Sequence, residues 1–121
     1  MLRLEQVSMS VNDSNGGNKD ILHNIDLDFT SGKLYAITGP NGGGKTSLAK
    51  VIMGIYDLSA GQIFLHDEEI SHLTVSERAH KGIAYAFQQP PRFKGLTVSD
   101  LLKIAYGDID IMGLRKSLRD V

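Results

Sequence analysis

Hydrophobic and polar residues alternate at the start of the chain with the period of two that is typical of β-strands. Residues 2–11 predict a first strand, and the alternation within it is broken once, near Gln6. The Asn15-Gly16 pair that follows predicts a tight hairpin turn, because these residue types tolerate positive φ. Residues 21–29 alternate again and predict the returning strand. The chain is therefore expected to open with an antiparallel β-hairpin.

Later apolar runs lack this alternation, as is typical of strands buried on both faces of a parallel sheet. Residues 34–38 and 83–87 are two such runs, and we predict a strand at each. Residues 61–65 predict another strand, followed by a turn at residues 66–69. Together these elements predict an α/β fold in which an antiparallel β part precedes the strand at residues 34–38.

Helices are predicted between the strands. Apolar residues recur at helical spacing from Leu48 to Ile55, and Gly54 stands where such a helix would end. Two later helices are predicted from capping boxes, in which a threonine and an acidic residue three positions on satisfy each other's backbone N–H groups. These pairs are Thr74 with Glu77 and Thr97 with Asp100.

Composition narrows the possible partners. The chain has 121 residues, 41% of them hydrophobic and 22% charged, and a net charge of -1. This balance gives no broad attraction to nucleic acid, so no nucleic-acid partner is expected. The absence of cysteine excludes disulfides and thiolate metal sites, and we expect a cytoplasmic protein. The histidines lack the pairing of a metal site and are predicted on the surface: His23, His66, His72 and His80.

The main chemical signal is a glycine cluster between the 34–38 run and the first predicted helix. It fits the pattern G-x-x-x-x-G-K-[ST] of phosphate-binding loops, with the residues Gly39, Pro40, Asn41, Gly42, Gly43, Gly44, Lys45 and Thr46. Glycines let the backbone curl so that its N–H groups converge on one anion. The helix that follows adds its free N–H groups and the positive end of its dipole. We expect Lys45 to reach the β- and γ-phosphates and the Thr46 hydroxyl to ligate Mg²⁺.

Further segments match one family in order and spacing. They are residues 20–27, 59–63, 82–88 and 96–98. With the loop, they make the chain resemble the ATP-binding cassette (ABC) ATPases from its first strand to about Leu102. The resemblance implies a P-loop NTPase fold of the ABC type, with ATP and Mg²⁺ as cofactors. It also implies a second ABC ATPase subunit as partner, in the family's head-to-tail dimer.

The resemblance assigns roles outside the loop as well. Gln88 matches the Q-loop glutamine, so its amide is expected to reach Mg²⁺ or the attacking water and to act in catalysis with Lys45. Arg92, Phe93 and Lys94 would face a scaffold complex or a membrane permease, and they fit an ordinary polar turn equally well. The subunit is then expected in the cytoplasm, where such a partner could hold it at the membrane.

Several positions depart from the family pattern. Val11 appears where the family often stacks an aromatic ring on adenine, so apolar contact with weak base recognition is expected. Gly43 replaces a common serine. Thr46 and Ser47 stand for the common Ser-Thr pair, which keeps a hydroxyl for Mg²⁺, and Ser47 completes the expected nucleotide-binding set.

The family's signature motif L-S-G-G-Q does not occur in the sequence, and its Walker B strand, D-loop and switch histidine are not found either. We therefore expect residues 1–121 to be about the N-terminal half of an ABC nucleotide-binding domain. Residues 1–95 would belong to the catalytic core, and the helical subdomain would only begin at residues 96–121. Such a chain should bind ATP with little or no hydrolysis, whereas the full-length protein should be an ATPase.

Three functions remain open. Residues 10–13, 76–79 and 86–90 resemble the soluble ABC ATPase of the sulfur-mobilisation (Suf) system, and they favour iron–sulfur cluster assembly by a small margin. The alternative is the ATP-binding component of a membrane ABC transporter. A third possibility is a nucleotide-binding module without catalysis.

Overall fold

The computed structural model describes residues 1–40, 42–89 and 92–106. The chain divides into two compact units, Met1–Ala86 and the residues from Phe87 onward. The elements of the first unit are β1 (Leu2–Asn12), β2 (Asn18–Phe29), α1 (Lys45–Met53), β3 (Ala60–Leu65), β4 (Glu68–Glu69) and α2 (Val75–His80). The second unit contains α3 (Val98–Tyr106).

The strands form one antiparallel sheet in the order β2-β1-β3-β4. Leu2 lies opposite Phe29 at one end of the opening hairpin, and Asn12 lies opposite Asn18 at the other. A tight turn joins the two strands, in which the Gly16 N–H donates to the Asp13 carbonyl over 3.0 Å. The predicted antiparallel hairpin is thus confirmed, and β2 starts three residues earlier than the apolar pattern indicated.

The break in the β1 pattern is a β-bulge. Gln6 has a φ of 48°, and the pairing of β1 shifts register between Leu4 and Val7 on one side and between Glu5 and Ser8 on the other. The Gln6 N–H donates to the Asp26 carboxylate over 2.8 Å, so the bulged residue keeps a partner. The bulge explains how apolar residues on both sides of the break face the same core.

The core lies between the sheet and α1. Its buried side chains come from β1, β2, α1, β3 and the segment after β4: Leu4, Val7, Met9, Leu22, Leu48, Val51, Ile63 and Ile70. The two core residues that α1 contributes, Leu48 and Val51, belong to the apolar pattern from which this helix was predicted. Gly54 is the C-cap of α1 with a left-handed φ of 88°, which confirms the helix end predicted at this glycine.

The capping boxes are confirmed. The Thr74 hydroxyl accepts from the Glu77 N–H over 3.2 Å, and the Glu77 carboxylate accepts from the Thr74 N–H over 2.8 Å. Thr97 and Asp100 exchange the equivalent bonds at the start of α3, over 2.9 and 3.1 Å. The hydrogen bond from the Thr97 N–H lowers the pKa of Asp100 from its ordinary value.

The strands predicted at residues 34–38 and 83–87 are not formed, so these two predictions were wrong for the chain as described. Neither segment is paired into a sheet. Apolar composition can favour an extended backbone, but a strand also needs a neighbour that shares its hydrogen bonds. Leu34 is fully exposed, and Ile37 and Phe87 are exposed too. These side chains are therefore largely or partly exposed to solvent and do not belong to the buried core.

The four histidines are exposed, as predicted. His66 contacts the Met1 amine through Nδ1 over 2.9 Å, which ties the turn after β3 to the start of β1. Within the described ranges, no cluster of His, Cys, Asp or Glu could hold a metal ion. No helix among the described residues is both long and apolar enough to cross a membrane.

Candidate nucleotide-binding site

The glycine loop connects residues 34–38 to α1. Gly42 and Gly44 have φ values of 84° and 90°, in the left-handed region that residues with a Cβ rarely adopt. Gly44 is the N-cap of α1 and offers no side chain to cap it, and the first turn contains no acidic residue. The positive end of the α1 dipole is therefore left for an external anion.

Close packing is a second reason for glycine at positions 43 and 44, since a Cβ at either one would be crowded by neighbouring atoms. A Cβ on Gly44 would lie 3.1 Å from both the Ile21 carbonyl oxygen and Leu22 Cδ2. A Cβ on Gly43 would lie 3.0 Å from the Pro40 carbonyl oxygen, to which the Gly43 N–H itself donates over 3.1 Å. The loop is thus closed on itself and seated on β2, which fixes where α1 begins.

Lys45 is the first residue of α1 and returns its ammonium group to the loop. Its Nζ donates to the Gly39 carbonyl, and to the Pro40 carbonyl over 3.2 Å. A positive charge is therefore held at the loop by weak neutral acceptors. A phosphate oxygen would be the stronger acceptor, because hydrogen bonds between charged groups are shorter and stronger than those to neutral carbonyls.

Thr46 and Ser47 follow in the first turn of α1, as predicted; Thr46 is exposed and Ser47 is half-buried. Asn41 lies outside the described residues, so its predicted role stays a prediction. The predicted residues Gly39, Pro40, Lys45, Thr46 and Ser47 thus lie with the remaining loop glycines on one continuous segment, the loop and the first turn of α1.

A cleft of about 380 Å³ opens beside the loop. One wall is the loop with Lys45, and the other is largely apolar, with side chains from β2, the 34–38 segment and α1: Leu22, Ile25, Leu27, Ile37 and Leu48. Its volume lies within the range of ligand pockets, about 300–1,000 Å³. The loop is therefore open on one side to a bound molecule.

Val11, the residue expected near the base, is exposed at the turn end of the hairpin, opposite Lys19. It offers an apolar surface without an aromatic ring. Its contact with a base stays a prediction.

The remaining predicted residues belong to the second unit. Gln88, Arg92, Phe93 and Lys94 are all exposed. Pro90 and Pro91 lie outside the described residues. The roles of Gln88 toward Mg²⁺ and of residues 92–94 toward a partner therefore remain predictions.

Sequence reasoning missed one residue at the other end of α1. Arg78, on α2, is 3% exposed, and its guanidinium donates to backbone carbonyls of the last α1 turn. Burial lowers the pKa of Arg78, and the carboxylate of Asp57 offsets part of this effect. An arginine one residue after a capping box carries no signal of burial, because charged residues in short helices are usually exposed.

Comparison with known proteins gives the same family throughout. A family model described as "ABC transporter" matches residues 22–119, which include the whole loop and Gln88 but not Val11. The probable ATP-dependent transporter ycf16 of Antithamnion sp. is 40% identical over 92 residues, covering 74% of this chain and 37% of that protein. The sulfate/thiosulfate import ATP-binding protein CysA 1 of Agrobacterium fabrum is 43% identical over 86 residues, covering 71% of this chain and 23% of that protein.

Among solved structures, the fold is similar to that of the dimeric bacterial ABC transporter cassette MJ0796. The TM-score is 0.80 at 20% identity, covering 96% of this chain and 53% of that chain. The chain thus spans less than half the length of the two curated relatives.

Proposed function

Because the chain belongs to the ABC transporter family, we propose that it binds Mg²⁺–ATP as the ATP-binding part of a subunit that works on a partner protein. The loop at residues 39–46 carries this proposal. It combines left-handed glycines, a helix start without a side-chain cap, and a lysine ammonium that, among the described residues, donates to the neutral carbonyls of Gly39 and Pro40.

The proposed binding step is an exchange of partners. Lys45 leaves the carbonyls of Gly39 and Pro40 and donates to the β- and γ-phosphates, while the loop N–H groups donate to the remaining phosphate oxygens. The Thr46 hydroxyl and the Gln88 amide oxygen are the proposed Mg²⁺ ligands, since hydroxyl and carbonyl oxygens suit this hard cation. Bound Mg²⁺ supplies charge neutralisation at the phosphates.

Base binding gives a first testable prediction. Val11 can contact a base but cannot stack on it, so we expect GTP to compete with ATP within about tenfold, a factor that corresponds to about 1.4 kcal/mol. Competition calorimetry measures the ratio. Val11→Tyr should strengthen the binding of both nucleotides. The control is Lys19→Ala, because Lys19 is exposed and lies opposite Val11 on the hairpin, whereas Val7 is a buried core residue and Val7→Ala is not a suitable control. A hundredfold preference for ATP would contradict the prediction.

Hydrolysis is a separate proposal. The 121 residues supply Lys45, Thr46 and Gln88 but no acidic residue matching the family's general base. Losing a general base costs about 10²–10⁴ in rate. We expect the chain to bind Mg²⁺–ATP and release phosphate at close to the background rate. A phosphate-release assay with Lys45→Ala as control tests this, and steady turnover that the variant abolishes would be the contrary result.

In the whole protein, residues 1–95 are proposed as part of the catalytic core and residues 96–121 as the start of the helical subdomain. ATP hydrolysis would then occur in a head-to-tail dimer with a second ABC subunit. Gln88 is proposed to act in catalysis there, so Gln88→Ala in the full-length protein should reduce turnover while sparing binding.

Two kinds of partner are proposed. The names of the two relatives describe a transporter and an import ATP-binding protein, which supports a membrane permease as the partner and the cytoplasmic face of a membrane as the location. Residues 10–13 and 76–79 support the second candidate, a soluble Suf-type scaffold for iron–sulfur clusters. Exposed Arg92, Phe93 and Lys94 are the proposed contact in either case. A permease gene beside this gene favours transport, and a scaffold gene without membrane spans favours assembly.

A further inference from the structure

The buried guanidinium of Arg78 is satisfied by backbone carbonyls. Its Nη1 donates to the carbonyls of Val51 and Ile52 over 2.8 and 3.0 Å. Its Nε donates to the Leu73 carbonyl over 3.1 Å, and its Nη2 donates to the Ser71 carbonyl over 3.0 Å. Burying a charged group is costly unless its donors are paired, and here all three nitrogens have partners.

Two of these four carbonyls, those of Val51 and Ile52, belong to the last turn of α1. The last carbonyls of a helix have no partner within the helix, and a cation near them also interacts favourably with the helix dipole. Gly54 makes room for the guanidinium, because a Cβ there would lie 3.0 Å from Arg78 Nε and 3.1 Å from Cζ. The end of α1 is therefore shaped to receive this side chain.

The other pair belongs to a segment that is tied to the sheet. The Ile63 N–H of β3 donates to the Ser71 hydroxyl over 2.8 Å. The Ile70 N–H donates to the Ile63 carbonyl over 2.8 Å, and the Leu73 N–H to the Ile70 carbonyl over 3.1 Å. Arg78 thus connects the C-terminal end of α1, through the segment 70–73, to an interior strand of the sheet.

We propose that Arg78 is a positioning residue for the phosphate site, acting through α1. The helix has nine residues and begins at Lys45, so its two ends are the phosphate loop and the Arg78 contact. Its first end is seated on β2 by Gly44, and its second end is held by Arg78. With both ends held, the N–H groups and Lys45 keep one orientation toward the phosphates, and no ordering of the helix is needed on binding. This inference rests on the proposed ATP binding.

The test compares Mg²⁺–ATP affinity by calorimetry at a temperature where circular dichroism shows every variant folded. We expect Arg78→Ala to bind about tenfold more weakly, within the range by which residues remote from a ligand change its binding. Millimolar guanidinium chloride, far below denaturing concentrations, should restore most of the affinity of Arg78→Ala and leave that of the wild type unchanged. Arg78→Lys keeps the positive charge but not the planar guanidinium that donates in several directions, so its ATP affinity should fall between those of Arg78→Ala and the wild type.

Leu2→Ala is the control for stability alone, since Leu2 is half-buried at the start of β1, lies opposite Phe29 and Leu65 in the sheet, and belongs to neither α1 nor the phosphate loop. Its affinity should equal that of the wild type. The inference is overturned if Arg78→Ala and Arg78→Lys bind as the wild type does, or if Leu2→Ala weakens binding equally at equal stability. If Arg78→Ala does not fold, Arg78→Lys alone decides between these outcomes. Failure of the wild type to bind ATP would instead refute the proposed function, and this inference with it.

Discussion

Replacement of Lys45 by alanine should weaken Mg²⁺–ATP binding by about a hundredfold, the factor that corresponds to about 2.7 kcal/mol and to one or two hydrogen bonds between charged groups. In the nucleotide-free chain the ammonium group donates to the carbonyls of Gly39 and Pro40. Those carbonyls lie on exposed residues and can turn to water, so the variant should keep the stability of the wild type. The loss is therefore expected in binding alone.

Calorimetric titration with Mg²⁺–ATP measures the effect, and thermal unfolding checks stability. Lys50→Ala is the matched control, because Lys50 lies on the same helix and its Nζ contacts the Tyr56 ring at 5.0 Å instead of the loop. Its affinity should stay within about twofold of the wild type, since exposed charges are screened by salt. Equal ATP affinity in Lys45→Ala and the wild type would remove the phosphate site from residues 39–46.

Gly61→Ala should lower the free energy of unfolding by about 3 kcal/mol or more, which combines the cost of a strained backbone with that of forced overpacking. Gly61 has a φ of 95°, in β3 beside the bulge of β1. A Cβ there would lie 2.4 Å from the Gln6 carbonyl oxygen and 2.6 Å from Val7 Cα. Both atoms belong to the backbone, so a rotamer change cannot relieve the clash, and β1 and β3 must separate locally.

Gly82→Ala separates the two causes. Gly82 has a similar φ, 103°, but nothing lies within 4 Å of a Cβ built on it. Gly82→Ala should therefore lower the free energy of unfolding only by the cost of the left-handed backbone, about 1–2 kcal/mol. Urea unfolding followed by circular dichroism measures both variants. Equal losses in the two would mean that the contact between β3 and the bulge relaxes without cost.

Much of the local structure could be predicted from the sequence because its hydrogen bonds join near neighbours. The Thr74–Glu77 and Thr97–Asp100 capping boxes each form between residues three apart, so the residue types alone specify them. The hairpin turn and the loop glycines are local in the same sense. Their left-handed backbone leaves glycine as the residue with the lowest cost.

The tertiary structure decided the features that join distant parts of the chain. The apolar runs at residues 34–38 and 83–87 do not form strands of the sheet, because strand formation also depends on a neighbouring strand, which the run's own sequence does not specify. Gly61 lies against the Gln6 backbone because of the register in which β1 and β3 pair, which neither strand's sequence specifies alone. Arg78 is buried because four carbonyls from two separate segments converge on it. The sequence by itself therefore determined the phosphate loop and the caps, whereas packing between segments decided what holds the helix that follows the loop.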